Sequence, residues 1–312
     1  METLSELSER GLIRRLRPQL VTRPDVLLGA GDDCALVKPP PPGEELVLKS
    51  DPIIAGRHFL PDTDPKRIGH KALGRVLSDF AAMGATPQWA LIDFTAPPDT
   101  PISVADGIYA GIKALAERHR VAIVGGDTTS DTTLSLHVFA AGSVPAGKAM
   151  RRAAATPGDS LYVTGTLGRS FESGRHLSFE PRLDVGRWLL NRGIRCAIDI
   201  SDGLASELWH IAEESNARLF LIDSAVPLSP TCARMPDPLT HALDDGEDFE
   251  LLFSVPPDDF HFLTDFMQAF PDVLCTPIGM VGEHLEGGRV TYGNGESGGK
   301  LLPKKGFDHF SE

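Results

Sequence analysis

The sequence predicts an α+β protein of two domains, each a mixed or antiparallel sheet with helices on one face. Three observations carry this. The N-terminal elements run strand, strand, helix, strand, helix, strand, strand, without the strict alternation of a parallel βαβ fold. A second, independent set of strands and helices follows a stretch rich in Gly, Pro and basic residues at 145–158. And 312 residues suit two cores better than one.

The chain opens on a helix, with Thr3 and Glu6 at capping-box spacing and Leu4, Leu7, Leu12 and Ile13 in a helical stripe. Val26–Leu28 and Leu46–Leu48 are short strands, the second ending at Ser50 and Asp51. Ile68, Ala72, Leu73, Val76, Leu77 and Phe80 share one face of a helix over about 66–83. Trp89–Phe94 reads as a strand, 101–119 as a helix opened by Pro101, and Val121–Val124 and Thr133–Val144 as strands. Residues 1–147 form the first expected domain and 148–312 the second. The second holds strands at 160–164, 195–200, 218–223 and 249–255. Its helices fall at 183–192, 203–215 and 258–270, ahead of a Gly-rich tail of weak strands.

Thirty Lys and Arg against 43 Asp and Glu leave a net charge of −13. A chain that acidic repels a phosphate backbone, so nucleic acid is not an expected partner. No apolar run reaches the ~20 residues of a spanning helix, and the first residues lack the apolar core of a signal peptide. Cys34, Cys196, Cys232 and Cys275 form no CxxC pair, which speaks against a zinc site and fits a reducing cytoplasm.

The aspartates fall where loops meet strand ends, the usual place for ligand sites in layered folds. Asp32 and Asp33 follow Gly31, Asp51 ends a strand, Asp127 follows Gly125 and Gly126, and Asp199 and Asp202 bracket a strand-to-helix junction. Each has an ordinary alternative. An Asp beside Gly commonly bonds its own turn, Asp199 or Ser201 could cap the next helix, and Asp79 stands four residues after Arg75, ion-pair spacing on a helix. Taken together, converging carboxylates must hold cations, since two charges ~4 Å apart repel by about 4 kcal/mol at an effective dielectric of 20. An all-oxygen set selects Mg²⁺ or Ca²⁺, and the Asp199–Gly203 spacing is not that of an EF-hand. Magnesium with a phosphorylated ligand fits better. No P-loop, GxSxG or HExxH motif is present, and Gly165 and Gly168 after a strand offer only a weak phosphate-loop signal. His58 is a lone histidine, on residue type alone a structural or surface group.

Seven segments in order resemble the thiamine-monophosphate kinase family: Gly31–Asp33; Ser50–Asp51 with Gly56–Phe59; Leu77–Gly84; Gly125–Thr128; Ile198–Leu204; Asp245–Leu251; and Gly306–Phe310. They cover nearly the whole chain. The family shares a superfamily with aminoimidazole ribonucleotide synthetase, selenophosphate synthetase and a hydrogenase maturation factor. The resemblance implies an architecture like that of aminoimidazole ribonucleotide synthetase, a homodimer joined through the N-terminal sheet, and an active site between the two domains. The implied reaction is ATP plus thiamine phosphate to ADP plus thiamine diphosphate, the last step in making that cofactor. The attacking phosphate oxygen is already ionised at pH 7, so no general base is needed. The substrates bring roughly six negative charges, which cations must offset.

Carried onto this chain, the resemblance makes Asp32, Ser50, Asp51, Asp79, Asp127, Asp199 and Asp202 ligands of several Mg²⁺ ions, with Asp32, Asp127, Asp199 and Asp202 central to catalysis. Tyr109, Gly126, Asp127, Arg152 and Ser201 fall at the ATP positions, and His58, Glu250 and Phe307 at those of thiamine phosphate. Pro52 stands where the family has Thr, Asp245 where Gly is usual, and Phe249 where Tyr is common. Residues 168–182 form an unusual linker. Two other readings stay open: a superfamily enzyme with a different acceptor, and a binding protein that holds nucleotide or thiamine phosphate without turnover.

Overall fold

The computed structural model describes residues 2–294 and 299–306 and divides into two compact units, Met1–Phe80 with Ala85–Gly147 and Ala81–Gly84 with Lys148–Glu312. The first begins with α1 (Leu4–Leu7) and α2 (Glu9–Leu16), then β1 (Val26–Leu28) and β2 (Leu36–Val37), which pair antiparallel. β3 (Glu44–Ile54), α3 (Pro65–Ala82), β4 (Thr86–Ala96), α4 (Ile102–His119), β5 (Ala122–Gly125), β6 (Thr128–Ser130) and β7 (Ser135–Pro145) follow. The sheet runs in the order β3-β7-β4-β5, with β6 alongside β4. Only β4 with β5 and β4 with β6 are parallel pairs.

Period-2 alternation divides the sheet into two faces. Val47, Ile53, Ile92, Phe94, Leu136 and Val138 are buried on one, as is the apolar stripe of α3. The other carries Leu46, Leu48, Leu91 and Phe139, which remain 41–70% exposed and are linked through the register of the three long strands. α3 and α4 cross closely: a side chain at Gly69 would meet the Ile108 carbonyl, and one at Gly111 the Lys66 carbonyl.

The second unit comprises β8 (Ser160–Thr164), α5 (Ser170–Ser173), α6 (Leu183–Asn191), β9 (Ala197–Asp199), α7 (Leu204–Glu214) and β10 (Ala217–Ile222). It continues with α8 (Pro238–Asp244), β11 (Leu251–Val255), α9 (Phe262–Ala269), β12 (Cys275–His284), β13 (Arg289–Gly293) and β14 (Lys300–Leu301). The sheet order is β14-β13-β10-β12-β8-β11-β9, antiparallel except for the β10–β13 pair. Leu161, Val163, Ile198, Leu208, Ile211, Leu219 and Ile278 form its core.

Three local expectations change. The opening helix is two, because Ser8 takes φ +67° and its hydroxyl accepts from the Gly11 N–H at 3.4 Å, starting a second helix. β3 does not end at Asp51 but continues through Pro52 to Ile54. β3 is a sheet edge, laddered on one side only, where a residue without an N–H is tolerated. The Gly165–Gly168 loop is not free for phosphate: the N–H groups of Gly165, Leu167 and Gly168 donate to Leu274 O, Pro227 O and the Asp248 carboxylate.

Candidate functional site

In the first unit, a cavity of about 990 Å³ brings Asp32, Tyr109, Gly126 and Asp127 together with Asp33 and Asp93. Gly126 follows β5 at φ +141°, and a Cβ there would lie 1.9 Å from the Ile92 carbonyl, so the turn passes against β4 as only glycine can. Asp93 Oδ1 accepts the Asp127 N–H at 3.0 Å, and the Asp127 carboxylate accepts the Thr128 N–H at 2.8 Å. Asp32 likewise accepts from the Asp33 N–H at 2.9 Å. Both are turn contacts that leave further carboxylate lone pairs facing out. Tyr109 packs on Phe94 with centroids 6.3 Å apart, and burial, then the charge of Asp93, pushes its hydroxyl above the usual tyrosine range.

Asp51 and Asp79 meet at one ammonium. Lys49 Nζ lies 3.4 Å from Asp51 Oδ2 and 2.9 Å from Asp79 Oδ1. Two carboxylates converging on a cation are a donor set that suits a hard metal ion. Among the described residues, no three Asp, Glu, His or Cys side chains are grouped to hold a metal by themselves. Magnesium does not require that, since one or two carboxylates with waters and substrate phosphates complete its shell. Ser50 and Asp51 point to opposite faces of β3, so the Ser50 hydroxyl leaves the face that Lys49 and Asp51 share. Arg75 donates to the Pro52 carbonyl at 3.2 Å.

His58 is buried inside its own turn: its Nδ1 accepts the Ile54 N–H at 3.0 Å, and its carbonyl accepts from the buried Lys71 ammonium at 2.5 Å. That is the structural arrangement its residue type suggests.

In the second unit, two segments are laced together. Asp199 ends β9 with 5% exposure, and Ser201, Asp202 and Gly203 turn into α7. The segment 245–250 lies against this turn: Glu247 N–H donates to Ser201 O at 2.6 Å, Phe249 N–H to Ile200 O at 2.8 Å, and Ile200 N–H to Glu250 O at 2.8 Å. Gly203, at φ +110°, passes so near the Leu243 carbonyl that a Cβ would lie 2.6 Å from it. Beneath the turn, Glu207 of α7 is 2% exposed and accepts the Asp202 N–H at 3.1 Å. Burial, then the charge of Asp199, pushes its carboxyl up to about 8, while Arg152 pulls it back down. Arg152 is itself exposed, and its carbonyl accepts the Ser215 hydroxyl at 2.8 Å.

Comparison with known proteins gives the site its context. Residues 31–144 match the family described as AIR synthase related protein, N-terminal domain. The thiamine-monophosphate kinase of Escherichia coli (strain K12) is 36% identical over 316 residues, spanning 93% of this chain and 94% of that protein. The chain belongs to the thiamine-monophosphate kinase family. Among solved structures, that of the thiamine-monophosphate kinase from Stenotrophomonas maltophilia K279a superposes with a TM-score of 0.80 at 34% identity, covering 92% of this chain and 96% of that one. A structure described as AaThiL complexed with AMPPCP and TMP gives 0.75 at 28% identity and covers 99% of both chains. The α+β architecture expected from the sequence is thus the fold of these kinases.

The family's last motif, with Phe307, lies outside the described residues. Glu250 is 6% exposed and engaged at both oxygens, by Arg182 Nε at 2.7 Å and Nη2 at 2.6 Å and by the Thr164 hydroxyl at 2.6 Å. The linker 168–182 is ordered by such pairs: Arg175 bonds the buried Asp248, His176 Nδ1 sits 2.9 Å from Glu247, and Phe179 stacks on Phe249 with centroids 4.1 Å apart. Asp245 accepts the Arg169 N–H at 3.1 Å, so the residue that departs from the family's Gly anchors the departing linker.

Asp93, Lys49, Arg182 and Glu207 were not singled out from the sequence. Asp93 and Glu207 had a signal, as charged residues on otherwise apolar faces of β4 and α7. Arg182→Met is expected to cost about 3 kcal/mol of stability by leaving the buried Glu250 carboxylate without its cation. Adding Glu250→Gln should recover most of it. Chemical denaturation of the two variants measures both effects, and an unchanged midpoint in the single variant would refute the account.

Proposed function

We infer that this chain phosphorylates thiamine phosphate to thiamine diphosphate at the expense of ATP. The observation that carries the reading is near-full-length similarity to thiamine-monophosphate kinases, on a chain with aspartates at 32, 51, 79, 127, 199 and 202. The mechanism needs little of the protein beyond alignment and charge. An ionised oxygen of thiamine phosphate attacks the γ-phosphorus of ATP, the bond from that phosphorus to the β,γ-bridging oxygen breaks, and ADP leaves with the electron pair. No side chain has to remove a proton, which accounts for a site rich in aspartates without a histidine base.

Asp32, Asp51, Asp79, Asp127, Asp199 and Asp202, with the Ser50 main chain, are the residues we assign to magnesium. When bound, the metal neutralises phosphate charge and holds the oxygens for transfer. The pairing of Asp51 and Asp79 on one cation supports the assignment. Gly126 and Asp127 present a backbone turn to the nucleotide within the cavity that Tyr109 lines. Arg152 and Ser201 are assigned to ATP as well. His58, Phe307 and Glu250, the last held by Arg182, are the residues we assign to thiamine phosphate. The exposed apolar face at Leu46, Leu48, Leu91 and Phe139 is the surface for a second copy of the chain. Among the described residues no helix is long and apolar enough to cross a membrane, and we place the enzyme in the cytoplasm.

The deciding experiment follows thiamine diphosphate by chromatography, with ATP, Mg²⁺ and either thiamine phosphate or free thiamine. Product from thiamine phosphate alone, and only with Mg²⁺, is expected. Nucleotide binding without diphosphate would move the reaction to another acceptor.

A further inference from the structure

Glu207 has no part in the assignments above, yet it is an almost fully enclosed carboxyl near Asp199 and Asp202, 2% exposed in the first turn of α7. α7 buries Leu204, Ala205, Leu208, Ile211 and Ala212 on the same side, so an apolar residue at 207 would continue the stripe and avoid the desolvation of an acid. An acid kept there must do something that an apolar residue cannot. Its Oε1 accepts the N–H of Asp202 at 3.1 Å, across five residues, at the point where the chain turns from β9 into α7. That bond ties the residue just ahead of the Gly203 N-cap back to the first turn of the helix. The adjoining Gly203 has φ +110° and no Cβ, so the turn has little side-chain packing of its own. Asp202 is the residue that Glu207 grips, and Asp199 ends β9 three residues before it.

We propose that Glu207 is a positioning residue, whose hydrogen bond to the Asp202 N–H fixes the turn and so holds the Asp199 and Asp202 carboxylates in place for divalent cation binding. The proposal rests on the assignment of those two aspartates to magnesium. What matters is an acceptor at the right reach. The negative charge is not required, because a backbone N–H is satisfied by an amide oxygen as well as by a carboxylate oxygen.

The test uses the full chain, Mn²⁺ as the probe and electron paramagnetic resonance of free Mn²⁺ to count what is bound, with thermal melting in parallel. Glu207→Leu fills the same space without an acceptor, and Glu207→Gln keeps the acceptor without the charge. The leucine variant should bind Mn²⁺ at least tenfold more weakly while melting no lower than the parent, a split that a purely structural residue would not give. The glutamine variant should stay within threefold of the parent. Parent-like Mn²⁺ affinity in the leucine variant would overturn the proposal. So would a glutamine variant weakened tenfold, which would make the charge itself the requirement, and this arm decides the matter even if the leucine variant does not fold. A parent chain that binds Mn²⁺ in this pattern but makes no thiamine diphosphate would leave the positioning role standing and remove the kinase reading. A parent that binds no Mn²⁺ would remove the aspartate assignment and this proposal with it.

Discussion

Asp199→Asn should reduce turnover by two to three orders of magnitude or more and leave the protein folded. Asparagine is nearly the same size and keeps a carbonyl acceptor, so β9 and its pairing of Asp199 with Leu251 are preserved. What is lost is one full charge in a buried position, where removing a single preorganised electrostatic group costs roughly 10²–10³ in rate. The substitution also lightens the charge that bears on Glu207, so thermal stability should hold or rise. Steady-state kinetics beside a melting curve separates the two. A rate equal to that of the parent would sink the assignment of Asp199 to the metal, and a slow, unfolded variant would say nothing about chemistry, which is why the melting curve is required.

Gly126→Ala acts by the opposite route, through the backbone. A Cβ at 126 would lie 1.9 Å from the Ile92 carbonyl and 2.7 Å from its nitrogen, and the residue's φ of +141° is in a region that side chains avoid. Strained torsion and overpacking each cost about 1–3 kcal/mol, and here both apply, so about 3 kcal/mol or more is expected. For a unit of this size that is roughly a 6–12 °C fall in melting temperature. ATP affinity should fall with it, because Asp127 and its bond to Asp93 hang on the same turn. Melting and nucleotide titration check the two effects, and an alanine variant with parent stability would show that the turn relaxes freely.

The parts of the fold that sequence revealed are those whose signal is local. The stripe from Ile68 to Phe80 gives α3, and Pro101 marks the start of α4, because helical period and caps are written within a few residues of one another. Leu46–Leu48 betrayed a strand but not its length, since Pro52 looks like a stop until β3 is known to be an edge. The aspartates were legible as residues beside glycines at strand ends. Their partners were not. Lys49 is an ordinary lysine until β3 brings it to Asp79 of α3, and Arg175 and Arg182 are ordinary arginines until Asp248 and Glu250 arrive from some seventy residues away. The linker looked anomalous for the same reason, since its local contacts, such as Arg169 with Glu172, are joined by the distant carboxylates of Asp248 and Glu250.

The segment 245–250 serves two masters. Its backbone is bonded to the turn that carries Asp199 and Asp202, and its side chains grip the linker through Arg175, His176 and Arg182. This makes the linker a poor candidate for piecemeal exchange. A loop grafted from a relative would have to arrive with cations matching Glu247, Asp248 and Glu250, or be moved together with those residues. Otherwise the graft would be felt at the aspartates, although no residue of the turn itself had been touched. In this fold, loop and turn vary as a pair.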